Sequence, residues 1–299
     1  MKYQTTIDTV AMQIDLVNIE TRDMILQDIL SLLNSSGMHV ISHDYPVSVH
    51  SNFLIREYQA VANKVVVASV RSGSYSYKNI LEQRTITTYY IALEFAGLVR
   101  YNNKLDILAK NTLLTVCAYL NTRHIPFKIT GLDIALDLFT DYSKVLALCT
   151  KKSPTTAYYG ANETQVFGST TYIEKIPQNK QDNAMQKAYF YDKAIKENLD
   201  YKLTRFEVKL QSLFFTKNRP NIFAALMKAL NKYHVMYVPK AKEKQKMMDE
   251  YDSCSIMRQR DIKRIGFDKY RCFFDMATIV GFINQLYTVQ ERKKNNFFT

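Results

Sequence analysis

The chain has 299 residues, room for one large domain or two ordinary ones, and its 47% hydrophobic and 23% charged content excludes a disordered polymer. Lys plus Arg number 40 against 28 for Asp plus Glu, and a net charge of +12 favours polyanionic partners: DNA, RNA or an acidic membrane face. The four cysteines (Cys117, Cys149, Cys254, Cys272) have no CxxC or metal spacing, which argues against a disulfide framework and a zinc finger, and the absence of a signal-peptide core or a long apolar run leads us to expect a cytoplasmic protein with no membrane contact.

The first predicted element is a strand over residues 5–15. Residues 20–34 (ETRDMILQDILSLLN) place Met24, Ile25, Ile29, Leu32 and Leu33 at helical spacing, and Ser35-Ser36-Gly37 ends that helix. Two β-rich stretches follow, KVVVASVRSGSYSY at 64–77 and TTYYIALEFAG at 87–97. A helix carrying Leu105, Leu108, Leu113, Val116 and Leu120 then leads into a strand, FKITGLDIALDLF at 127–139. Residues 151–187 are polar and turn-rich, read as loops and short strands. Strands over 186–194 and 201–215 flank a short turn or helical loop, and from Asn221 onward the pattern is helical. The expected fold is α+β, a mainly antiparallel sheet with helices on one face plus a C-terminal helical region. The expected division is a catalytic domain over 1–217 and a helical, DNA-binding region over 218–299.

Strand alternation puts Asp133, Ala135 and Asp137 on one face and Leu132, Ile134 and Leu136 on the other. In RFEVKL the polar set is Arg205, Glu207 and Lys209, and in QKAYFYDKA Tyr189 and Tyr191 share a face opposite Phe190. If these strands are neighbours, Asp133, Asp137, Glu207 and Tyr191 meet on one exposed sheet surface. Carboxylates suit a hard divalent cation such as Mg²⁺ or Mn²⁺, which polarises a phosphodiester. A phenol, titrating near about pH 10, needs such help to act as a nucleophile. Lys193, Arg205 and Lys209 would hold a DNA backbone. The plain alternative is a half-exposed strand with ordinary polar alternation.

Five stretches in order carry a resemblance: LEFAGLVRYN (93–102), ITGLDIALD (129–137), AYYGANETQVFG (157–168), AYFYDKA (188–194) and LTRFEVKL (203–210). This order resembles the replication initiation factor family, which includes rolling-circle initiators of small plasmids, relaxases of conjugative transposons and phage replication proteins. The resemblance implies that Tyr191 is the nicking tyrosine and that Asp133, Asp137 and Glu207 are metal-site carboxylates for Mg²⁺ or Mn²⁺. It implies an enzyme that nicks one strand at an origin, stays attached to the 5′ phosphate and leaves a 3′ hydroxyl. The partner is origin DNA, single-stranded or supercoiled, with a host helicase and a homodimer as further expectations. Two departures mark divergence: Gly131 stands where an arginine is usual, and Phe95-Ala96-Gly97-Leu98 lacks a second glycine.

Tyr189 is the alternative nucleophile, and Glu94 an additional candidate ligand. His39, His43 and His50 invite a metal reading but form no His-hydrophobic-His triplet. The basic runs KAKEKQK (240–246) and RQRDIKR (258–264) are solvated helix faces or grips for duplex phosphates, with Arg258, Arg260, Lys263 and Arg264 the favoured contacts. The competing functions are a relaxase with the same chemistry and a non-catalytic DNA- or RNA-binding protein. A tyrosine recombinase would need a His-x-x-Arg signature, and hydrolases or nucleotide-binding enzymes a GxSxG, P-loop or GxGxxG; none is present.

Overall fold

Asn18 and Asn102 set the starts of the first two helices: each side-chain oxygen accepts a backbone N–H three residues on, from Thr21 at 2.7 Å and from Leu105 at 3.3 Å. A computed structural model describes residues 1–45, 55–79, 83–149, 158–159, 170–173, 185–218, 221–254 and 259–287. Its contacts divide the chain into two units, one of residues 8–132 and 281–299, the other of residues 1–7 and 133–280. Strands β1 (Tyr3–Leu16) and β6 (Lys128–Leu138) and helix α8 (Met276–Tyr287) contribute residues to both.

The unit of residues 8–132 and 281–299 adds α1 (Ile19–Ser35), β2 (His39–Tyr45), β3 (Ile55–Ala62), β4 (Val65–Asn79), β5 (Arg84–Ala96) and α2 (Asn103–Thr122). Its strands run in the order β2-β3-β4-β5-β1-β6, and the β2–β3, β3–β4, β4–β5 and β1–β5 pairs are antiparallel. Alternation gives the sheet one apolar face: Val10, Met12 and Ile14 of β1, Val70 of β4, and Ile91, Leu93 and Phe95 of β5 are all buried. Helices α1 and α2 pack on these strands, burying Ile25, Leu26, Ile29, Leu30 and Leu33 from α1 and Leu113, Val116 and Leu120 from α2. Met24, expected inward, is 59% exposed. The inward stripe instead runs through adjacent pairs one turn apart, leaving Met24 at its edge. β2 and β3 were not predicted. Their apolar alternation is weak, and pairing holds them, β3 on β4 and β2 on β3.

The unit of residues 1–7 and 133–280 adds β7 (Val145–Cys149), β8 (Tyr158–Tyr159), β9 (Thr171–Ile173), β10 (Gln186–Asp192), α3 (Lys193–Glu197), β11 (Thr204–Leu210), α4 (Ser212–Lys217), α5 (Ile222–Asn231), β12 (Tyr233–Tyr237), α6 (Ala241–Ser253), α7 (Gln259–Ile265) and β13 (Arg271–Cys272). Its larger sheet continues β1-β6-β11-β10-β9-β8, and a second sheet has the order β13-β12-β7. The α+β class and the antiparallel sheet expected from the sequence are those observed.

Residues beyond 217 are not helical throughout, because β12 pairs with β7, Val235 opposite Ala147. Leu146, Leu148, Met236 and Val238 then form one core with Met247 and Tyr251 of α6 and Ile262 and Ile265 of α7. Contacts consequently divide the chain at other places than residue 217. The strand expected over 201–215 stops at Leu210. Phe214 and Phe215 are both buried, which consecutive residues of a one-sided strand do not achieve and a helical turn does. Among the described residues no helix is long and apolar enough to cross a membrane.

Ile29→Ala removes a side chain with no exposure, so urea denaturation should show a loss of about 2–5 kcal/mol. Met24→Ala on the same helix should stay within about 0.5 kcal/mol of the parent.

Candidate active site on three neighbouring strands

β6, β11 and β10 lie side by side in the unit of residues 1–7 and 133–280. The β10–β11 register sets Tyr189 opposite Glu207 and Tyr191 opposite Arg205. Between β6 and β11 two ion pairs run in opposite senses along the strands: Asp137 with Arg205 and Asp133 with Lys209. Midway between them fall Ala135 on β6 and Glu207 on β11, so a small side chain lies at the level of the central carboxylate.

Arg205 donates from Nε to Asp137 Oδ1 at 2.6 Å and from Nη2 to Asp137 Oδ2 at 2.8 Å, and neither side chain has any exposure. Thr6 on β1 donates its hydroxyl to the same Asp137 Oδ2 at 3.0 Å. Lys209, with 38% of its side chain exposed, sits 3.3 Å from Asp133, which is buried. Glu207, also buried, accepts from two phenols, Tyr189 at Oε1 and Tyr191 at Oε2, the second at 3.2 Å. The two tyrosine rings are stacked with centroids 6.0 Å apart. Burial pushes the Tyr189 phenol well above its ordinary range, and the charges of Glu207 and Asp133 and its hydrogen bond to Glu207 push it the same way.

The chain turns directly after Tyr191. Asp192 caps α3, its Oδ1 accepting the Ile195 N–H at 3.0 Å, while the Lys193 and Ala194 N–H groups donate to the Leu203 carbonyl. Lys193 is buried, and its ammonium donates to Glu197 at 2.9 Å. The Lys196 ammonium lies 4.9 Å from the centre of the Tyr191 ring.

The expected constellation thus assembles, but not on an exposed surface. Asp133, Asp137, Glu207 and Tyr191 are buried, and Tyr189 is half-buried. Arg205 and Lys193, expected to grip DNA, are 0% and 1% exposed and are spent on internal carboxylates. Of the three expected DNA-holding cations, Lys209 alone is substantially exposed. The burial has a physical consequence: charges on strands interior to a sheet are kept as ion pairs, as for Asp137 and Arg205, or with hydrogen-bond donors, as for Glu207.

The donor chemistry also bears on Mg²⁺ or Mn²⁺. As a three-carboxylate set, Asp133, Asp137 and Glu207 do not fit a divalent cation in this arrangement. Both Asp137 oxygens face the Arg205 guanidinium, and a cation there would meet that positive charge without solvent to screen it. Among the described residues no group of three His, Cys, Asp or Glu side chains is disposed to hold a metal.

Thr6 and Lys196 were not foreseen. Thr6 is 131 positions from Asp137, and no local pattern links them. Lys196 follows Tyr191 by five residues, and only the sharp β10–α3 turn returns it to the ring. Glu94 and His43 belong to the other unit, Glu94 as an exposed residue of β5 and His43 as a residue of β2 with His39. His50, Arg258 and most of the stretch 157–168 lie outside the described residues. In α6 and α7, Lys242, Lys246, Arg260, Lys263 and Arg264 are exposed while Met247, Tyr251, Ile262 and Ile265 point inward.

No family model and no curated protein matches the chain. Among solved structures it is similar to a rolling circle replication initiator protein from Geobacillus stearothermophilus, at 14% identity and a TM-score of 0.39 over 90% of this chain and 98% of that one.

Asp137→Ala removes the carboxylate that pairs with the buried Arg205 guanidinium, so chemical denaturation should show a loss of about 3–5 kcal/mol. Lys209→Ala, at a partly exposed pair, should cost no more than about 1 kcal/mol.

Proposed function

We propose that the chain nicks one strand of DNA by tyrosine transesterification, as a rolling-circle replication initiator, with Tyr191 the nucleophile. The observation that carries this reading is the pair of stacked phenols donating to one buried carboxylate, Glu207. A phenol needs a base at the moment of attack, and Glu207 already accepts the Tyr191 hydroxyl. In the proposed step Tyr191 Oη bonds to phosphorus and the P–O3′ bond breaks. The phenol proton passes to Glu207, and the departing oxygen takes up a proton to become the 3′ hydroxyl. The product is a 5′-phosphotyrosine adduct. Lys209, beside Asp133, and Lys196, over the Tyr191 ring, offset charge developing on the phosphate. Asp137 and Arg205 take a positioning role, fixing β6 against β11.

The five ordered sequence stretches supply the choice of DNA and of Tyr191, since Tyr191 rather than Tyr189 occupies the Phe-Tyr-Asp-Lys motif. A second reading exchanges the two phenols. Tyr189 is the more exposed, and both Glu207 and Asp133 act on it. Conjugative relaxation uses the same step on a transfer origin and is distinguished by the DNA, not by the chemistry.

The test is incubation with supercoiled plasmid carrying the DNA that flanks the coding sequence, with Mn²⁺, Mg²⁺ or EDTA, scored for nicked circles and a denaturation-resistant protein–DNA adduct. Tyr191→Phe should abolish the adduct, and Glu207→Gln should slow it by about 10²–10⁴-fold. An adduct that survives Tyr191→Phe but vanishes in Tyr189→Phe would transfer the role to Tyr189. DNA binding with no adduct under any condition would leave a non-catalytic DNA-binding protein. The EDTA arm decides metal dependence directly.

A further inference from the structure

Among the described residues the β4–β5 ladder extends past its pairing with β3 and β1. Among the described residues β3 pairs with β4 only from Arg56 opposite Ser72 inward, and β1 pairs with β5 only as far as Leu16 opposite Tyr89. Beyond those points Tyr75–Asn79 and Arg84–Thr88 continue as a ladder of their own, Tyr75 opposite Thr88 and Asn79 opposite Arg84. Alternation sorts its side chains. Arg71, Gly73, Tyr75 and Tyr77 of β4 share a face with Tyr90, Thr88, Ile86 and Arg84 of β5. This is the face opposite the buried residues Val70, Ile91 and Leu93 that the helices cover.

Three tyrosines form a continuous row there. Tyr75 and Tyr77 stack with ring centroids 6.5 Å apart, and Tyr75 and Tyr90 are 6.2 Å apart. Gly73 makes room for the third ring, because a Cβ at that position would lie 2.7 Å from the Tyr90 phenol oxygen. Tyr75 is 42% exposed and Tyr77 50% exposed, although large aromatics in a strand are ordinarily packed against a neighbour. Arg71, with 57% of its side chain exposed, stands at one end of the row, and Arg84, also exposed, at the other, about 27 Å away along the strand. Between Ser72 and Asn79, and between Arg84 and Ala92, there is no acidic residue. Arg71 is paired with Glu57 on β3 at 3.3 Å.

We infer that this tyrosine row on the projecting β4–β5 ribbon is a binding site for unpaired nucleic-acid strand, with bases stacking on Tyr75, Tyr77 and Tyr90 and phosphates held by Arg71 and Arg84. The occupant follows from the chemistry of the face. Exposed ring faces side by side bind any base through its π-face, whereas hydrogen-bond readout of a duplex groove does not need them. Cations at both ends suit a polyanion laid lengthwise, and the carboxylates beside the row, Asp15 opposite Tyr90 and Glu57 opposite Arg71, are each paired with a cation, Lys128 and Arg71. A strand held this way would be gripped without choice of sequence. The inference rests on the proposed nicking reading only for taking DNA, rather than RNA, as the polymer.

The test is fluorescence anisotropy of a short labelled oligothymidylate and of a matching duplex with the full chain. Tyr75→Ala/Tyr77→Ala should bind the single strand about tenfold or more weakly and the duplex as the parent does. Tyr75→Phe/Tyr77→Phe, which keeps the rings, should bind both as the parent does. Equal affinity of the alanine variant for the single strand, an equal loss on the duplex, or a phenylalanine variant as weak as the alanine one would each overturn the site. A second measurement needs no variant: oligothymidylate should protect Tyr75 and Tyr77 of the parent protein from nitration, read by peptide mass spectrometry, and undiminished nitration would overturn the site. The adduct assay stays separate. Weakened single-strand binding in the alanine variant with no adduct from the parent would sink the nicking reading alone. An adduct from the parent with unchanged single-strand binding in the alanine variant would sink this site alone.

Discussion

The ion pair between Asp137 and Arg205 is the constraint on which the candidate site depends. Both side chains are wholly buried, and two hydrogen bonds at 2.6 and 2.8 Å fix the carboxylate in the plane of the guanidinium. Burying two charges is costly, and a pair of this kind recovers the cost only through good geometry and further hydrogen bonds, here from Thr6. What it supplies is registration. With residue 137 held against 205, residue 133 meets 209 and the Glu207 carboxylate falls between the two ion pairs. A slip of one residue would turn Glu207 to the face now occupied by Phe206 and Val208.

Registration and reactivity are divided among residues that look alike in the sequence. Asp133 and Asp137 are four residues apart on one strand face, yet Asp137 is locked by an unexposed arginine and Asp133 meets a lysine that reaches solvent. Glu207 and Arg205 are related in the same way: one accepts from two phenols, the other is consumed in structure. The Tyr191-Asp192-Lys193 run likewise splits into a phenol at the site, a helix cap and a buried lysine paired within its own short helix. The polar residues of a motif are thus as much the means of holding a sharp strand-to-helix turn as of doing chemistry.

The other unit solves a different problem with the same alternation. One face of its sheet is apolar and covered by α1 and α2, and the opposite face is left polar with a row of tyrosines. Gly73 shows that the row is accommodated by the backbone, since any side chain there would collide with Tyr90. The basic segments of α6 and α7 need no such device. Their lysines and arginines lie on the outer side of helices whose inner residues, Met247, Tyr251, Ile262 and Ile265, fill a core.

By itself the sequence determined the class of fold, because period-2 alternation in 5–15, 87–97 and 127–139 and helical spacing in 20–34 and 104–120 are local properties that each segment carries with it. It also determined which side chains share a strand face, and so brought Asp133, Asp137, Glu207, Tyr189 and Tyr191 under consideration together. Local patterns do not register partners, so β2, β3, β7 and β12 went unread: each is short or weakly alternating and is held by its neighbour. Nor do they register what covers a face. Only the tertiary structure decided that Arg205 and Lys193 are interior, that Asp137 belongs to an arginine and that Thr6 completes it, because burial and ion pairing are set by strands far apart in the chain.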